Sequence, residues 1–386
     1  MTPRARQQQQ QQTEQPSTAI SEHFSDLTDP RRREPTYPLI NIVTIAVCAV
    51  ICGADDFVSI AEFGRRKKEF FSKFLDLSAG IPSHDRFNAT FAALNPQEFE
   101  ACLLSWITAL HQVTDGQVIA IDGKTLRRSY DRASSKAALH MVSAWATVNH
   151  ISLGQTLTDA KSNEITAIPR LLKMIDCAGS LVTIDAMGCQ TEIAKQIVNG
   201  GGNYVLAVKG NQKSLHGSIH RFFQARLQDD FADVDVRRTG SQVRAHGREE
   251  TRRYYLCRVP DTLADRKRWP GLKAIGMAVN ETVCQGKMTR EVRYYIVSQW
   301  MSAKKFAGAV RSHWGIENSL HWQLDVTFGE DQSRLRKGHA AANFSSLRRL
   351  ALSLLKNNRS LKIGIKNKRL TAGWDDDYLA QVLCGQ

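Results

Sequence analysis

The first hundred residues carry a pattern of apolar and polar positions that is typical of helices. Between 21 and 111, apolar side chains recur three or four residues apart, most clearly over residues 57–71. Pro82 interrupts this spacing, and Ser83 is a residue type that caps the start of a following helix. The pattern predicts a helical N-terminal domain over residues 19–112.

One strongly apolar run within this region has two possible interpretations. Residues 39–53 are almost entirely apolar, with polar interruptions at Asn41 and Thr44. The run of about 15 residues is shorter than the roughly 20 that a helix needs to span a bilayer. We therefore expect a buried core helix rather than a membrane anchor.

From Gln117 onward the pattern changes to short apolar runs that have the length of buried strands. The runs with strand character are VIAIDG, LHMVSAWATV, ISLGQTLT, SLVTIDA and NYVLAVKG. A turn at Asn149 and His150 joins the second and third runs, and helical segments near 163–175 and 189–199 separate the later ones. The order of three strands, helix, strand, helix and strand predicts an α/β fold, with a ribonuclease-H-like mixed sheet flanked by helices.

The rest of the chain continues with strands and ends in helices. Residues 230–300 contain charged, strand-rich segments, which we interpret as a β-rich insertion. A long helix is predicted from Ser302 to about Gln323, and a basic tail follows it. The predicted domains are a disordered Gln-rich tail (1–18), the helical domain (19–112) and the first part of the α/β core (113–229). The β-rich insertion (230–300) and a core helix with the basic tail (301–386) follow.

The charge of the chain indicates the kind of partner. The 386 residues include 52 Lys and Arg against 38 Asp and Glu, which gives a net charge of +14. This balance favours a polyanionic partner, of which nucleic acid is the commonest. A membrane surface would require a basic amphipathic helix beside an apolar anchor, and the pattern shows none. The polar N-terminal sequence is unlike a signal peptide, so we expect a cytoplasmic, nucleoid-associated protein.

The cysteines do not indicate a zinc site. Eight are scattered along the chain without a CxxC pair, so a zinc ribbon or finger is not expected. Several lie inside apolar runs. We interpret them as small core residues of a protein in a reducing compartment.

Two carboxylates stand at the ends of predicted buried strands. Asp122 follows VIAI and Asp185 follows SLVTI, and neighbouring strands of one sheet would bring them together. A hard divalent cation such as Mg²⁺ or Mn²⁺ would relieve their repulsion. Glu317 adds a third carboxylate on the predicted long helix, with His313 and His321 four residues before and after it on one face. Three carboxylates suit two ions, which activate an attacking oxygen and stabilise a leaving one.

Each of these residues also has an ordinary structural interpretation. An Asp at a strand end often forms a turn, and a Glu between Trp and His on a helix is usually solvated or paired. The segment HWGIENSLH could form a His/Glu zinc site, but no third ligand motif accompanies it. Only the acidic residues taken together, on a basic chain with this strand order, favour metal-dependent phosphodiester chemistry.

The same motifs carry a family resemblance. The segments AIDGKTLRRS, TIDAMGCQ, YVLAVKGNQ and HWGIENSLHWQLDVTFGEDQSR resemble the DDE transposases of bacterial insertion sequences, in particular the H-repeat-associated proteins. The resemblance extends over roughly residues 20 to 375. It implies that Asp122, Asp185 and Glu317 are the catalytic acids and the ligands of two Mg²⁺ or Mn²⁺ ions. The long separation between Asp185 and Glu317 suits the β-rich insertion that related transposases carry.

The resemblance is incomplete around Glu317. The wider superfamily has a Tyr seven residues before its Glu, an Arg four before and a Lys seven after, where this chain has Val310, His313 and Leu324. We therefore assign His313 a catalytic role in place of the Arg, as a protonated donor to phosphate whose pKa is raised by contact with phosphate or Glu317, with a structural residue facing the core as the alternative. The absent Lys leaves the contact with flanking DNA unassigned.

Several basic and aromatic residues have positions suited to contact with DNA. The residues assigned to DNA contacts are Lys124, Lys209, Arg311 and His321. Basic runs at 31–33 and 65–68 suggest that the helical domain also binds DNA, with solvated surface charge as the alternative. Trp314 and Trp322 are interpreted as core residues, and stacking on an extruded base is the alternative.

The sequence therefore predicts a metal-dependent transposase that acts on double-stranded DNA, with a homodimer expected in the DNA complex. Water would nick the element ends, and the freed 3′-hydroxyl would attack target DNA. One alternative is a transposase-derived DNA-binding protein that no longer cuts, which a nicking assay would identify. Another is a ribonuclease-H-like nuclease without strand transfer, which a joining assay with labelled 3′ ends would identify.

Overall fold

Contacts within the chain separate a helical unit from a sheet-based unit. In the computed structural model, the described residues are 20–32, 35–111, 117–130, 138–158, 164–245 and 247–385. The helical unit draws on Met1–Gln112 and Lys337–Gln386, and the sheet-based unit on Val113–Arg336. The predicted disordered tail, residues 1–18, lies outside the described residues. The grouping of the two chain ends in one unit was not predicted from the sequence.

Among the described residues, six helices form the N-terminal part of the helical unit. They are α1 (Ile20–His23), α2 (Leu39–Ile51), α3 (Phe57–Arg66), α4 (Lys68–Phe71), α5 (His84–Ala93) and α6 (Pro96–Leu110). Helix α2 is buried from Asn41 to Ile51, which confirms the predicted core helix. Ser83 caps α5 as predicted, because its Oγ accepts a hydrogen bond from the Arg86 N–H at 3.3 Å. None of the described helices is both long and apolar enough to cross a membrane.

Nine strands form a single sheet in the second unit. They are β1 (Val118–Thr125), β2 (His140–Ala146), β3 (Ile151–Leu157), β4 (Leu181–Ile184), β5 (Asn203–Val208), β6 (Val236–Ala245), β7 (Arg248–Arg258), β8 (Ala274–Cys284) and β9 (Lys287–Val297). The order across the sheet is β3-β2-β1-β4-β5-β9-β8-β7-β6. The first three strands pair antiparallel, whereas β1, β4 and β5 run parallel. This is the predicted ribonuclease-H-like mixed sheet.

The β-rich segment continues this sheet rather than forming a separate layer. β9 pairs antiparallel with β5, from Val205 opposite Val297 to Val208 opposite Tyr294. The last four residues of β9 are buried beside β5, while its first six residues are exposed. The predicted insertion therefore widens the sheet that carries the acidic strands.

Among the described residues four helices pack on the sheet, and the third acidic residue, Glu317, directly follows the last of them. They are α7 (Glu164–Met174), α8 (Thr191–Asn199), α9 (Lys213–Gln228) and α10 (Ala303–Ile316). Ser302 caps α10, with its Oγ 3.2 Å from the Lys305 N–H that donates to it. Phe306 is fully buried against β8, where a Cβ at Gly276 would lie 2.4 Å from its ring. The glycine therefore lets α10 approach the sheet closely.

The predicted long helix changes its winding where the acidic residue occurs. After Ile316 the chain forms π-helical turns over Glu317–His321 and Gln323–Thr327. The Trp322 N–H bonds to the Glu317 carbonyl, five residues earlier instead of four. Such wider turns are frequent at functional sites, because they re-aim side chains within a helix.

Three C-terminal helices belong to the helical unit and bury part of the predicted basic tail. They are α11 (Ala340–Asn357), α12 (Ile365–Trp374) and α13 (Asp376–Leu383). Arg348 and Arg349 of α11 are only 2% and 1% exposed. Lys368 Nζ donates to the carbonyls of Leu355 and Asn358, at 2.9 Å and 2.6 Å, at the end of α11. The tail is thus not a solvated basic extension, because several of its charges stabilise helix ends.

The cysteines have the environment that their positions predicted. All eight are free, and five of them are buried. Burial raises the pKa of the Cys189 thiol above its ordinary value, and Asp185 adds to the effect. Burial raises the pKa of the other four buried thiols as well, so the five buried cysteines remain protonated near neutral pH, as inert core residues do.

Candidate active site

The two predicted aspartates meet at one edge of the sheet. Asp122 lies in β1, and Asp185 directly follows β4, the parallel neighbour of β1. The register places Ile121 opposite Ile184, so the next residue of each strand is the aspartate. Asp185 Oδ1 also accepts hydrogen bonds from the N–H groups of Met187 and Gly188, at 3.0 Å and 3.3 Å. These bonds confirm the turn interpretation of Asp185, whereas its role in a metal site stays a prediction.

Glu317 approaches this edge from the helix, together with a histidine. His321 Nδ1 lies 3.6 Å from Asp122 Oδ2 and 3.7 Å from Glu317 Oε2. One ligand atom from each of the three residues falls within 4.8 Å of the others. His321 was predicted to contact DNA, but the structure places it between two carboxylates, in a position to bind the same cation.

The electrostatics of Asp122 fit a divalent cation. The pKa of Asp122 is raised to about 7, chiefly by burial; a backbone hydrogen bond from Gly123 opposes the rise, and the charges of neighbouring carboxylates, Glu317 and Asp185 among them, add to it. A carboxylate in this position repels its neighbours when ionised, and a hard cation offsets that repulsion. Carboxylate oxygens with an imidazole nitrogen form a donor set that Mg²⁺ tolerates and Mn²⁺ accepts readily.

His313 lies in the core of the unit and is neutral. Its side chain is 7% exposed, and its Nδ1 lies 3.3 Å from Thr183 Oγ1 of β4. Burial lowers the pKa of His313 from 6.5 to about 4. The predicted raised pKa is therefore wrong, because desolvation outweighs any attraction to phosphate or to Glu317 in this environment. His313 packs α10 against β4.

Lys124 is engaged in a buried ionic cluster that the sequence did not reveal. Its Nζ donates to Glu330, at 2.7 Å, and to Asp325, while Glu330 is 2% exposed. The contact ties the end of β1 to the segment that follows the π-helical turns. Lys209, by contrast, is exposed at the end of β5. Burial raises the pKa of Asp185, and the positive charge of Lys209 is one of the smaller effects that lower it.

A second, basic feature occupies another face of α10. A cavity of about 450 Å³ lies between α10 and strands β7 to β9. The residues that line it with charged groups, side-chain amides or an indole ring are Arg252, Asn280, Glu291, Arg293, Arg311, Trp314 and Asn318. The Arg293 guanidinium stacks on Trp314, 3.9 Å from the ring centroid. Trp314 and Trp322 are 37% and 52% exposed, so their interpretation as core residues is wrong.

Glu164 is a carboxylate near the aspartates that the sequence analysis missed. Its Oε1 lies 2.9 Å from His140 Nε2, and His140 Nδ1 lies 2.8 Å from Thr125 Oγ1. Its only sequence signal was its place in the first turn of a predicted helix. Nothing in that local pattern indicates a tertiary neighbour at the end of β1.

Comparison with known proteins identifies the family. Residues 113–354 match the family model described as "Transposase DDE domain", and residues 21–107 match the "DDE_Tnp_1-associated" model. The Escherichia coli K12 protein named "H repeat-associated putative transposase YhhI" is 40% identical over 372 residues, which cover 95% of this chain and 98% of the relative.

A further relative and a solved structure complete the comparison. The "Putative transposase YncI" of Escherichia coli O157:H7 is 40% identical over 370 residues, 95% of this chain and 94% of the relative. A cryo-EM structure of the piggyBac transposase synaptic complex with hairpin DNA aligns with 96% of this chain and 79% of that chain, at 11% identity and a TM-score of 0.42. The family match and the full-length relatives show that this chain belongs to the transposases with a DDE domain.

Proposed function

We propose that this chain nicks DNA at the ends of its element and joins the freed 3′-hydroxyls to target DNA. The observation that carries the proposal is the convergence of Asp122, Asp185 and Glu317 on one edge of a ribonuclease-H-like sheet. Membership of the transposase family supports the same conclusion.

In this proposal Asp122, Asp185 and Glu317 hold Mg²⁺ or Mn²⁺, with two ions as the expected number. Cations held by these residues would supply a lowered pKa to an attacking water and a charge that stabilises the leaving oxygen. His321 adds a nitrogen donor beside Asp122 and Glu317. Lys124 fixes the strand end through its pairs with Glu330 and Asp325, which keeps Asp122 in register with Asp185.

His313 has a positioning role in place of the catalytic role predicted from the sequence. A neutral, buried imidazole beside Thr183 holds α10 on β4 and so sets the place of Glu317, four residues later. A cationic donor to the scissile phosphate must come from elsewhere, and exposed Lys209 at the same edge of the sheet is the residue that we propose.

The basic cavity is the proposed contact for DNA beside the acidic site. Arg311 supplies a guanidinium group that matches phosphate geometry, and Trp314 supplies an aromatic surface. Arg252 and Arg293 also line the cavity, but Arg252 pairs with Glu250 and Arg293 with Glu291 at 2.7 Å, so a phosphate would have to compete with those carboxylates. Phosphate contacts provide affinity that falls with salt, while the acidic residues provide the chemistry. DNA in contact with Arg311 and Trp314 of α10 would be held close to Glu317, which directly follows that helix.

A DNA-binding role for the helical unit rests on weaker support. Of the basic run at 65–68, Arg65 and Arg66 both pair with Glu62, at 2.7 Å and 2.8 Å, and Lys67 pairs with Asp376. In the other run, Arg31 pairs with Asp29, and Arg33 lies outside the described residues. Charge reversal at Lys68 tests the role, because a helical unit that binds DNA ends would lose affinity in a mobility-shift titration.

The decisive experiment is cleavage of a duplex that carries the element's own ends, with Mg²⁺ or Mn²⁺ and with labelled 3′ ends. Nicked ends and joined products would support the full proposal. Nicking without joining would replace it with a nuclease. End binding without nicking would replace it with a DNA-binding protein derived from a transposase.

A further inference from the structure

The turn that begins with Asp185 is held closely on the end of its strand. Asp185 Oδ1 accepts hydrogen bonds from the N–H groups of Met187 and Gly188, at 3.0 Å and 3.3 Å. A Cβ at Gly188 would lie 2.3 Å from Ile184 Cγ2, so a larger residue there would lift the turn off β4. Both hydrogen bonds use the same carboxylate oxygen, and none among the described residues reaches Oδ2. The turn therefore leaves Oδ2 as the oxygen for a cation.

Two amide side chains from the end of the neighbouring strand contact this turn. After β5, a 3₁₀ turn over Gly210–Gln212 leads into α9. Asn211 Nδ2 donates to the Ala186 carbonyl at 2.6 Å, and Gln212 Nε2 donates to the Cys189 carbonyl at 2.9 Å. The two carbonyls flank the pair of N–H groups that bind the aspartate. The amides thus restrain the turn on both sides of its contact with the carboxylate.

The chemistry of these two contacts favours neutral donors. A backbone carbonyl accepts hydrogen bonds, and an amide NH₂ group donates them without adding charge. A carboxylate at either position would face the carbonyl oxygen as a second acceptor. A lysine would donate, but its positive charge would oppose a cation at Asp185. Asn211 and Gln212 therefore restrain the turn without weakening the attraction of Asp185 for a cation.

The same 3₁₀ turn fixes the backbone of Lys209. The Gln212 N–H donates to the Lys209 carbonyl at 3.0 Å. Lys209 is the exposed residue proposed as the donor to the scissile phosphate. One short segment thus connects the proposed phosphate donor to the turn of Asp185.

We propose that Asn211 and Gln212 are positioning residues, which hold the turn of Asp185 against the end of β5 and so orient its free carboxylate oxygen towards a cation. The proposal deepens the proposed function and depends on it. It assigns a role to the end of the YVLAVKGNQ segment, of which only Lys209 has a part in the proposed chemistry. Neither amide binds the cation, since each acts through the backbone of the turn.

The test is a Mn²⁺ titration of the full-length, DNA-free protein, with unbound Mn²⁺ measured by electron paramagnetic resonance. Asn211→Leu and Gln212→Met each remove one donor while the side chain keeps a similar size. Each variant should weaken the binding of one ion about tenfold, as the loss of a residue that orients a metal ligand commonly does. Any other bound ion should keep its affinity.

Double-mutant cycles distinguish a positioning role from a general effect on the fold. In the Asp185→Ala background, Gln212→Met should cause no further loss of Mn²⁺ affinity, because the carboxylate that it orients is absent. In the Glu317→Ala background the loss should persist at about its full size, since Glu317 lies on a different segment. Coupling to Asp185 alone is therefore the expected result.

Gln196→Met is a matched control. Gln196 is partly buried like Gln212, and its Nε2 donates to the Pro169 carbonyl at 2.8 Å, a contact that joins α8 to α7. The variant therefore loses the same type of hydrogen bond in a contact that does not include the turn. Its Mn²⁺ affinity should equal that of wild type.

The outcomes separate the two proposals. Wild-type protein that binds no Mn²⁺ would overturn the proposed metal centre, and the positioning role with it. Unchanged Mn²⁺ affinity in folded Asn211→Leu and Gln212→Met would overturn only the positioning role. A loss of equal size in Gln196→Met, or in the Asp185→Ala background, would also overturn it, in favour of a general effect on the fold. Circular dichroism establishes the folded state of each variant, and the two single variants test the role independently if one of them misfolds.

Discussion

Two faces of one helical segment carry opposite chemistry. On one, Glu317 and His321 meet Asp122, and His313 packs on β4. On the other, Arg311 and Trp314 line a cavity with arginines of β7 and β9. The acidic face has the donors for cations, whereas the basic face has the donors for phosphate. Under the proposed function, the chemistry and the DNA affinity would depend on separate residues, although these residues share one backbone.

The largest expected effect comes from removal of an acidic ligand. Asp122→Ala, Asp185→Ala or Glu317→Ala should each reduce cleavage at least about 1,000-fold, because metal ligation supplies the chemistry. Binding of end DNA should change little, since the basic face remains. Nicking and mobility-shift assays on the same preparations measure the two effects, and strong Mg²⁺-dependent nicking by all three variants would refute the separation.

The effect of Asp122 on the stability of the fold tests the acidic face in the absence of DNA. Its pKa is raised from 3.8 to about 7, chiefly by burial, so the folded chain retains a proton that the unfolded chain releases. Its contribution to stability therefore falls as pH rises from about 4 to about 7, by up to about 4 kcal/mol. In EDTA at pH 8, Asp122→Asn should melt at a higher temperature than wild type.

The difference in melting temperature between Asp122→Asn and wild type should disappear near pH 4, where both side chains are uncharged. Addition of Mn²⁺ at pH 8 should stabilise wild type more than the variant, because the cation binds the ionised carboxylate. A constant difference in melting temperature from pH 4 to pH 8 would show that the pKa of Asp122 is not raised in the folded chain.

His313 has the opposite pH dependence. Because burial lowers its pKa from 6.5 to about 4, the unfolded chain binds a proton that the folded chain does not. The corresponding stability is present above pH 6.5 and is lost as pH falls towards 4, by about 3 kcal/mol. His313→Gln should reduce this acid sensitivity in thermal melts, whereas His313→Arg should destabilise the fold by burying a charge. If the melting temperature of His313→Gln falls with acid as steeply as that of wild type, the lowered pKa of His313 is contradicted.

The smallest of these effects belongs to the basic face. Arg311→Ala should weaken DNA binding about tenfold and reduce the slope of log affinity against log salt by about one unit, if the residue contacts one phosphate. Mn²⁺ binding should be unchanged. Arg266→Ala is a suitable control, since Arg266 pairs with Asp261 on a distant 3₁₀ turn. Equal losses in both variants would indicate a diffuse charge effect rather than a specific contact.

Local features of the fold could be predicted from the sequence. The strands that end in Asp122 and Asp185 were recognisable because buried strands read as short apolar runs, and Ser83 and Ser302 were recognisable as helix starts. The likeness of the motifs to a known family added Glu317. The information for these predictions lies in residues that are close together in the sequence or in a complete sequence motif.

The features of the site that could not be predicted depend on contacts between segments that are distant in the sequence. Lys124 pairs with Glu330, 206 residues away, and the local sequence of neither residue indicates the other. His313 was expected to be charged, because its burial against Thr183 is a property of the packed sheet and helix. Trp314 was expected in the core, but the guanidinium of Arg293 covers its ring at the edge of a cavity.

The cations buried in the C-terminal helices change how the net charge of +14 should be interpreted. Arg348, Arg349 and Arg369 are at most 5% exposed, and Lys368 donates to carbonyls at the end of α11. Each of these buried cations is surrounded by fixed protein dipoles instead of bulk solvent. It therefore contributes little to the release of counterions when DNA binds. The formal charge thus overstates the number of ions that bound DNA would displace, and the field that attracts DNA comes from a smaller, surface-exposed set of side chains.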